Sequence, residues 1–305
     1  MSKWIVMGAN SFSGKAFCAH LKSRGQEVDY MTRRDHDLNA RRKAISWTFS
    51  CNPDAEYVVN FAALNVVADS WKHHEDYYRT NVIGVGWFAR ECHRMLPNLK
   101  RFVQVSTPEV YGDHPATEDG AFYPSTPYAV SRAAADMDLM ALHRAYKFPV
   151  CFTRTVNVFG EGQQPYRIIP KTILKILRHE KLKLDGGGTS ERSFIHIDDV
   201  ALGIEIVAAC GIAGRAYFMS GGAPVSIRVL VEGICSEMGV AFDTAVEMAM
   251  ERTGKDRIYL LDDRVMREGF GWAPAHRPRA LADMVAWYTA HADDYKNDSL
   301  EYEHK

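Results

Sequence analysis

Residues Gly8–Gly14 read Gly-Ala-Asn-Ser-Phe-Ser-Gly and give the clearest indication of the fold. It lies between an apolar run typical of a strand, Trp4–Met7, and a helical pattern over Lys15–Arg24. The first glycine permits a tight turn, the last lets the helix pack close to the strand, and the helix N-terminus then faces a pyrophosphate. Ser11 stands where such a loop usually has its middle glycine. We therefore predict a dinucleotide-binding loop.

The alternation of strand and helix continues outward from this loop. The predicted strands are Glu27–Thr32, Tyr57–Ala62, Phe102–Ser106 and Pro149–Thr155, and the predicted helices are Tyr77–Met95 and Tyr128–Tyr146. Such alternation predicts an α/β fold, in which a doubly wound parallel sheet of the Rossmann type is covered by helices on both faces.

The alternation loosens after Thr155, where Ile168–His179 and Ile227–Met238 are predicted as separate helices between loops. We predict a dinucleotide-binding domain over residues 1–155, to which residues 193–213 return. Residues 156–192 and 214–305 are predicted to form a smaller substrate-binding domain. The final stretch from residue 293 is polar, with Leu300 as its one aliphatic residue, and we expect it to fray.

Composition excludes several classes of protein. The 37 Lys and Arg residues against 38 Asp and Glu give a formal charge of −1, so no basic surplus is present to bind nucleic acid. The longest nearly apolar run, Val58–Ala68, falls short of the about 20 residues that cross a bilayer. The chain enters an apolar strand directly at Trp4, which indicates no secretion signal. The six scattered cysteines indicate reduced, buried thiols, so we expect a cytoplasmic protein without a disulfide framework or a metal site.

The end of the second predicted strand bears on the choice of cofactor. A carboxylate there favours NAD, whereas arginine favours the extra phosphate of NADP. Thr32 occupies this place, and Arg33 and Arg34 follow it. The pattern favours NADP weakly, because Arg33 could equally stack on adenine or face solvent.

Two further segments carry candidate chemistry. Tyr128 and Arg132 are four residues apart on a predicted helix and therefore share one face. A nearby cation is what lets a phenol, with a free pKa of about 10, ionise towards neutral pH. A hydroxyl at the end of the strand Phe102–Ser106 can bind the same substrate oxygen. Together these groups can take the proton of an alcohol while its hydride leaves for nicotinamide.

Over nearly its whole length the chain resembles the extended short-chain dehydrogenase/reductase family, in its nucleotide-sugar epimerase/dehydratase branch. The resemblance rests on Val59–Ala63, Thr80–Val82, Arg154–Gly160 and Arg192–Val200, in addition to the segments above. It implies bound NAD or NADP, a sugar-nucleotide substrate and a homodimer built from the helices Tyr77–Met95 and Tyr128–Tyr146.

The resemblance also assigns roles to single residues. Tyr128 would be the base, Thr107 would orient the alcohol and Arg132 would polarise Tyr128. The predicted cofactor-binding residues are Gly8, Asn10, Ser11, Phe12, Gly14, Arg33, Arg34, Asp37, Leu38, Phe61, Ala62, Ala63, Asn81, Ser106, Tyr128 and Arg132. The predicted substrate-binding residues are Ser70, Asn157, Lys171, Arg192 and Arg252, with Arg192 on the pyrophosphate.

Glu109 bears on which type of enzyme in this branch the chain resembles. Oxidation of a sugar at C4 acidifies the C5 proton, and a carboxylate can remove it, so Glu109 favours a 4,6-dehydratase. Similarity of Arg252–Tyr259 and Gly271–Pro274 to dTDP-glucose 4,6-dehydratases supports this. Two departures from the family pattern are Arg132 in place of lysine and Pro108 in place of an acidic residue. An epimerase, a UDP-glucuronate decarboxylase and a non-catalytic dinucleotide-binding protein remain alternatives.

Overall fold

A computed structural model describes residues 2–32, 38, 52–114, 116, 117, 120–250, 261–275 and 280–304. Strands occur in both halves of the chain. They are β1 (Lys3–Met7), β2 (Glu27–Met31), β3 (Tyr57–Asn60), β4 (Arg101–Val105), β5 (Val150–Thr155), β6 (Asn157–Phe159), β7 (Leu182–Asp185), β8 (Glu191–Arg192), β9 (Phe194–His196), β10 (Ala216–Met219), β11 (Val225–Ser226) and β12 (Val246–Ala249).

Helices separate most of these strands. The α-helices are α1 (Phe12–Ser23), α2 (Val67–Ser70), α3 (His74–Tyr78), α4 (Val85–Met95), α5 (Pro127–Tyr146), α6 (Ile168–Leu177), α7 (Ile197–Cys210), α8 (Ile227–Glu237), α9 (Phe242–Ala245) and α10 (Ala280–Ala290). A π-helical segment, Arg79–Gly84, joins α3 to α4, so the predicted helix Tyr77–Met95 begins earlier and is not α-helical throughout. Among the described helices, none is both long and apolar enough to span a bilayer.

Six parallel strands form the main sheet in the order β10-β5-β4-β3-β1-β2. The chain moves outward from β1 in one direction to β2 and in the other through β3, β4 and β5. Central strands are buried along nearly their whole length, which explains why they have continuous apolar sequences. This arrangement confirms the predicted α/β fold with a doubly wound parallel sheet.

The chain divides into two compact units. The first comprises Met1–Thr155, Val200–Met219 and Leu261–Ala273, and it contains the main sheet. The second comprises Val156–Asp199, Ser220–Leu260 and Pro274–Lys305. The second unit contains the strand pairs β6–β9, β7–β12 and β8–β11. The assignment of substrate binding to a domain of its own stays a prediction.

The C-terminal stretch is held in place, so the expectation that it frays is wrong for the residues described. Leu300 is only 6% exposed and belongs to an apolar cluster with Ile173 of α6. Arg178, just after α6, donates hydrogen bonds to the carbonyl oxygens of Tyr295 and Asp298. One buried aliphatic side chain and a few polar contacts are therefore enough to fix a mostly polar segment.

The cysteine thiols are mostly buried, as predicted. Cys18, Cys92, Cys151 and Cys235 are buried, whereas Cys210 is exposed, and Cys51 lies outside the described residues. Burial raises the pKa of the Cys18 and Cys151 thiols to about 12. At neutral pH these two side chains are therefore protonated and behave as small apolar groups.

Candidate active site

The loop between β1 and α1 has the close packing that its glycines predict. Gly8 has a φ of +79°, and a Cβ there would lie 2.8 Å from the backbone nitrogen of Ala62. A Cβ on Gly14 would lie 2.2 Å from the carbonyl oxygen of Gly8. The Ser11 hydroxyl accepts a hydrogen bond from the Gly14 N–H at 3.0 Å and caps α1. A serine at this position therefore has a structural role that glycine could not perform.

The end of β3 forms the neighbouring wall of this loop. Asn60 is buried, and its side chain accepts a hydrogen bond from the Ala62 N–H at 3.0 Å and donates one to Gln104 of β4 at 2.9 Å. The Phe61 ring packs against Phe17 of α1, with ring centroids 5.5 Å apart. These contacts hold the backbone that follows β3 against Gly8. Phe61, Ala62 and Ala63 are half-buried.

Asn81, predicted to bind the cofactor, is buried in the π-helical segment, and its amide makes three contacts within the protein. It accepts a hydrogen bond from the Leu64 N–H at 2.9 Å and donates to the Leu64 carbonyl oxygen at 2.9 Å. It also donates to the Ser131 hydroxyl at 2.9 Å, and that hydroxyl donates to the Tyr128 carbonyl oxygen. Asn81 thus ties the segment after β3 to α5.

The remaining predicted cofactor residues differ in their placement. Asn10 is exposed and Phe12 half-buried at the start of α1. Leu38 is buried and packs against Gly84, where an added Cβ would lie 2.6 Å from the Leu38 Cβ. Arg33, Arg34 and Asp37 lie outside the described residues.

The end of β4 positions two candidate catalytic groups. Thr107 starts a 3₁₀ turn, Pro108–Tyr111, and its hydroxyl accepts a hydrogen bond from the Glu109 N–H at 3.3 Å. That contact uses a lone pair of the hydroxyl oxygen and leaves its proton available to a substrate oxygen. Pro108 suits the first position of the turn because a proline nitrogen has no proton to satisfy there. The proline that replaces an acidic residue of the family pattern is thus part of the turn that holds Glu109.

Tyr128 and Arg132 lie on the same face of α5. Thr126 caps this helix by accepting a hydrogen bond from the Ala129 N–H at 3.1 Å, and Pro127 occupies its first turn. Tyr128 is 7% exposed, and its ring makes an edge contact with the ring of Tyr77 at 6.3 Å between centroids. The helix α5 packs against the 3₁₀ turn that contains Glu109.

The guanidinium of Arg132 is almost fully buried, with 2% of the residue exposed. Its Nη2 donates a hydrogen bond to the carbonyl oxygen of Val105, the last residue of β4. Within the described part of the chain, its Nε and Nη1 have no hydrogen-bond partner. Buried donors are normally satisfied, so these two nitrogens are suited to hydroxyl oxygens of a bound ligand.

A buried ion pair lies beside these groups, and sequence reasoning did not identify it. Arg154 of β5 donates a hydrogen bond from Nη2 to Oδ2 of Asp136 at 2.8 Å. The same oxygen accepts a hydrogen bond from the Ser106 hydroxyl at 2.6 Å. The signal available in the sequence was the position of Asp136, one turn after Arg132 on the same helix face.

The predicted substrate residues belong to both units. In the first unit, the buried Ser70 hydroxyl donates to the Val67 carbonyl oxygen at 2.6 Å, within its own helical turn. In the second unit, Asn157 is exposed on β6, Arg192 is half-buried on β8, and Lys171 forms an ion pair with Glu301 at 2.6 Å. Arg252 lies outside the described residues.

Comparison with known proteins gives consistent results. Residues 4–218 match the model of the NAD dependent epimerase/dehydratase family. A dTDP-glucose 4,6-dehydratase from Streptomyces griseus is 37% identical over 240 residues, covering 77% of this chain and 72% of that protein. Another from Xanthomonas campestris pv. campestris is 30% identical over 329 residues, covering 94% and 93%. Among solved structures, the chain is similar to DesIV, a dTDP-glucose 4,6-dehydratase from Streptomyces venezuelae that was solved with NAD and TYD bound. The TM-score is 0.86 at 26% sequence identity, and the match covers 95% of this chain and 98% of DesIV.

Proposed function

The chain belongs to the NAD dependent epimerase/dehydratase family, and from that premise we propose that it is a nucleotide-sugar 4,6-dehydratase. The observation that carries the proposal is the 3₁₀ turn after β4, which contains Glu109 two residues after Thr107 and packs against α5, the helix of Tyr128. A carboxylate in addition to the hydroxyl and the phenol is what removal of the C5 proton requires. The relatives named above act on dTDP-glucose, so we propose a sugar nucleotide of this class as substrate.

The residues present fit NAD or NADP. Gly8 and Gly14 leave no space for a Cβ, so the loop makes the tight turn and the close helix packing that direct the N-terminus of α1 towards a pyrophosphate. The unpartnered Nε and Nη1 of Arg132 are suited to ribose hydroxyls. Held there, the dinucleotide would supply a hydride acceptor for C4 of the sugar and, once reduced, a hydride donor for C6. DesIV was solved with NAD, so NAD is the first cofactor to test, and the weak preference for NADP from Arg33 and Arg34 stays a prediction.

In this mechanism the first task of the protein is to deprotonate the C4 alcohol. The Tyr128 phenolate takes the hydroxyl proton, and the Thr107 hydroxyl donates a hydrogen bond to the same oxygen. The positive charge of Arg132, one helical turn from Tyr128, stabilises the phenolate. The product of this step is a ketone at C4.

The second task is the loss of water across C5 and C6. Glu109 takes the C5 proton, which the neighbouring ketone has made acidic, and passes it to the departing C6 hydroxyl. Pro108 cannot donate a proton, so we assign both transfers to Glu109, with a water molecule as the alternative acid. Protonation of C5 from solvent then completes the product, a 4-keto-6-deoxy sugar nucleotide.

Mass spectrometry of the product tests this function. With dTDP-glucose or UDP-glucose, the product is expected to be lighter than the substrate by one water, with no net consumption of the cofactor. An epimerase would leave the mass unchanged, a decarboxylase acting on UDP-glucuronate would release carbon dioxide, and a non-catalytic binder would change no substrate. Native mass spectrometry of the purified protein identifies the copurified dinucleotide in the same experiment.

We also propose that Asn157 and Arg192 bind the sugar nucleotide. Arg192 is half-buried, and a guanidinium binds phosphate oxygens with several donors at once. Of the other predicted residues, Lys171 and Ser70 have their polar groups in contact with Glu301 and Val67. Their role in binding stays a prediction.

The homodimer proposal is supported by an exposed apolar stripe on α5. Val130, Ala134, Met137 and Ala141 follow at helical spacing, and Met137 is 62% exposed. Ile83, in the π-helical segment that packs against α5, is 56% exposed. Covering such surfaces with a second copy of the chain would remove them from water.

Met137→Glu is expected to convert the dimer into a monomer, because burying a charged side chain in an apolar interface is unfavourable. Light scattering coupled to size-exclusion chromatography measures the mass, and circular dichroism shows whether the fold is retained. Met248→Glu is the matched control, since Met248 is 53% exposed on β12 in the other unit. A Met137→Glu protein that remains dimeric would contradict the proposed interface.

A further inference from the structure

We propose that the Asp136–Arg154 ion pair positions Thr107 for hydride transfer by holding the Ser106 hydroxyl. This inference rests on the proposed function, since it concerns the C4 oxidation step. Asp136 and Arg154 would be positioning residues that touch neither substrate nor cofactor and act through the end of β4.

The geometry of the ion pair makes it rigid. Asp136 and Arg154 are 1% and 2% exposed, and Oδ2 of Asp136 accepts hydrogen bonds from both Arg154 and Ser106. Aromatic rings surround the guanidinium of Arg154, with centroids 5.1 to 6.0 Å from its central carbon. These rings are Tyr111, Phe122, Phe152 and Phe218. The guanidinium of Arg154, enclosed by these rings, therefore holds the Asp136 carboxylate in place, and the carboxylate holds the Ser106 hydroxyl.

Two adjacent residues of the chain are thereby attached to α5. The guanidinium of Arg132 binds the Val105 carbonyl oxygen, and Asp136, one turn later, binds the Ser106 hydroxyl. Thr107 follows directly, and Tyr128 lies one turn before Arg132 on the same helix. The separation between the Thr107 hydroxyl and the Tyr128 phenol is consequently set by two short connections. Both groups must reach one substrate oxygen, so a small displacement of either would lower the rate.

The chemistry of the pair also points to positioning. A buried ion pair contributes little net stability compared with apolar side chains of similar size, because both charges lose their hydration. It does provide a charged acceptor of fixed direction, and hydrogen bonds to charged groups are shorter and stronger than neutral ones. The 2.6 Å bond from Ser106 is of this kind.

Ser106→Ala tests the proposal, since it removes the hydroxyl and leaves the ion pair intact. Asp136→Asn would leave the buried Arg154 charge without its counterion and is more prone to misfold. The rate of C4 oxidation, followed in a single turnover by absorbance of the reduced cofactor, is expected to fall about 10- to 100-fold in Ser106→Ala. Ser106 is also a predicted cofactor-binding residue, but its hydroxyl donates its hydrogen bond to Asp136, so we expect the amount of copurified dinucleotide and the KM for the sugar nucleotide to stay unchanged. Ser106→Thr, which keeps a hydroxyl, is expected to restore the rate.

A double-mutant cycle identifies the residue through which Ser106 acts. In a Thr107→Ala background, Ser106→Ala is expected to cause no further loss, because the group that it positions is gone. The matched control is Asp263→Asn, which weakens a half-buried Asp263–Arg267 ion pair elsewhere in the same unit and should leave the rate unchanged.

Three results would overturn the proposal. The first is an unchanged oxidation rate in Ser106→Ala, and the second is a double variant whose rate is reduced by the product of the two single reductions. The third is a reduced rate in Ser106→Ala that is fully explained by a lower content of bound dinucleotide. Failure of the proposed function is distinguishable from these. If the wild-type protein oxidises C4 but releases no water, the dehydratase assignment is wrong, while the oxidation rate still measures the effect of Ser106. If the wild-type protein oxidises no sugar nucleotide, both proposals are wrong.

Discussion

Tyr128→Phe is expected to lower turnover by about 10²- to 10⁴-fold, the usual effect of removing a general base. The variant lacks only the phenol oxygen, so the edge contact of the ring with Tyr77 and the packing of α5 should remain. Without the phenolate no group in the described site takes the proton of the C4 hydroxyl. C4 oxidation and product release should therefore fall together, while the protein retains its bound dinucleotide and its thermal stability.

Measurement of both steps makes this expectation specific. Single-turnover absorbance of the reduced cofactor follows oxidation, and mass spectrometry follows the product. Tyr146→Phe is the control, because Tyr146 is on the same helix and 65% exposed. Undiminished turnover in Tyr128→Phe would show that another group is the base.

Glu109→Gln is expected to separate the two tasks of the site. The amide cannot take the C5 proton, so formation of the dehydrated product should fall by about 10²- to 10⁴-fold. The hydrogen bond between Thr107 and the backbone of residue 109 is independent of the side chain, and the 3₁₀ turn should persist. C4 oxidation should therefore continue, and the cofactor should accumulate in its reduced form.

Exchange of the C5 hydrogen in deuterated water provides a direct readout. We expect exchange in the wild-type protein and none in Glu109→Gln. Glu232→Gln, on the exposed face of α8, is the control and should behave like the wild-type protein. A Glu109→Gln protein that still exchanges this hydrogen would contradict the role of the carboxylate, and one that no longer oxidises C4 would place Glu109 in the first step.

The features that could be predicted from the sequence are those whose determinants are local. The strand, tight turn and helix around Gly8–Gly14 follow from apolar periodicity and two glycines, and the parallel sheet follows from the regular alternation of such units. The i, i+4 spacing of Tyr128 and Arg132 also places them correctly on one helix face.

The features that could not be predicted depend on contacts between distant parts of the chain. Asp136 meets Ser106 and Arg154 only after three separate elements have packed together. Leu300 finds its apolar cluster only once α6 and α10 are in place, so a polar composition gave the wrong expectation for its segment. The family pattern likewise gives no reason for Pro108, whose place at the start of a 3₁₀ turn is visible only in the fold.

The π-helical segment Arg79–Gly84 makes the chain intolerant of a one-residue deletion at this point. Such a segment accommodates one residue more than an α-helix of the same rise. Loss of a single codon there would restore α-helical spacing: the helices on either side would keep their orientation, but the side chains within the segment would point in new directions. Asn81 would then turn away from Leu64 and Ser131, and the hydrogen bonds of its amide would be lost. Sequence alignments of functional descendants should therefore show no gap across these six positions.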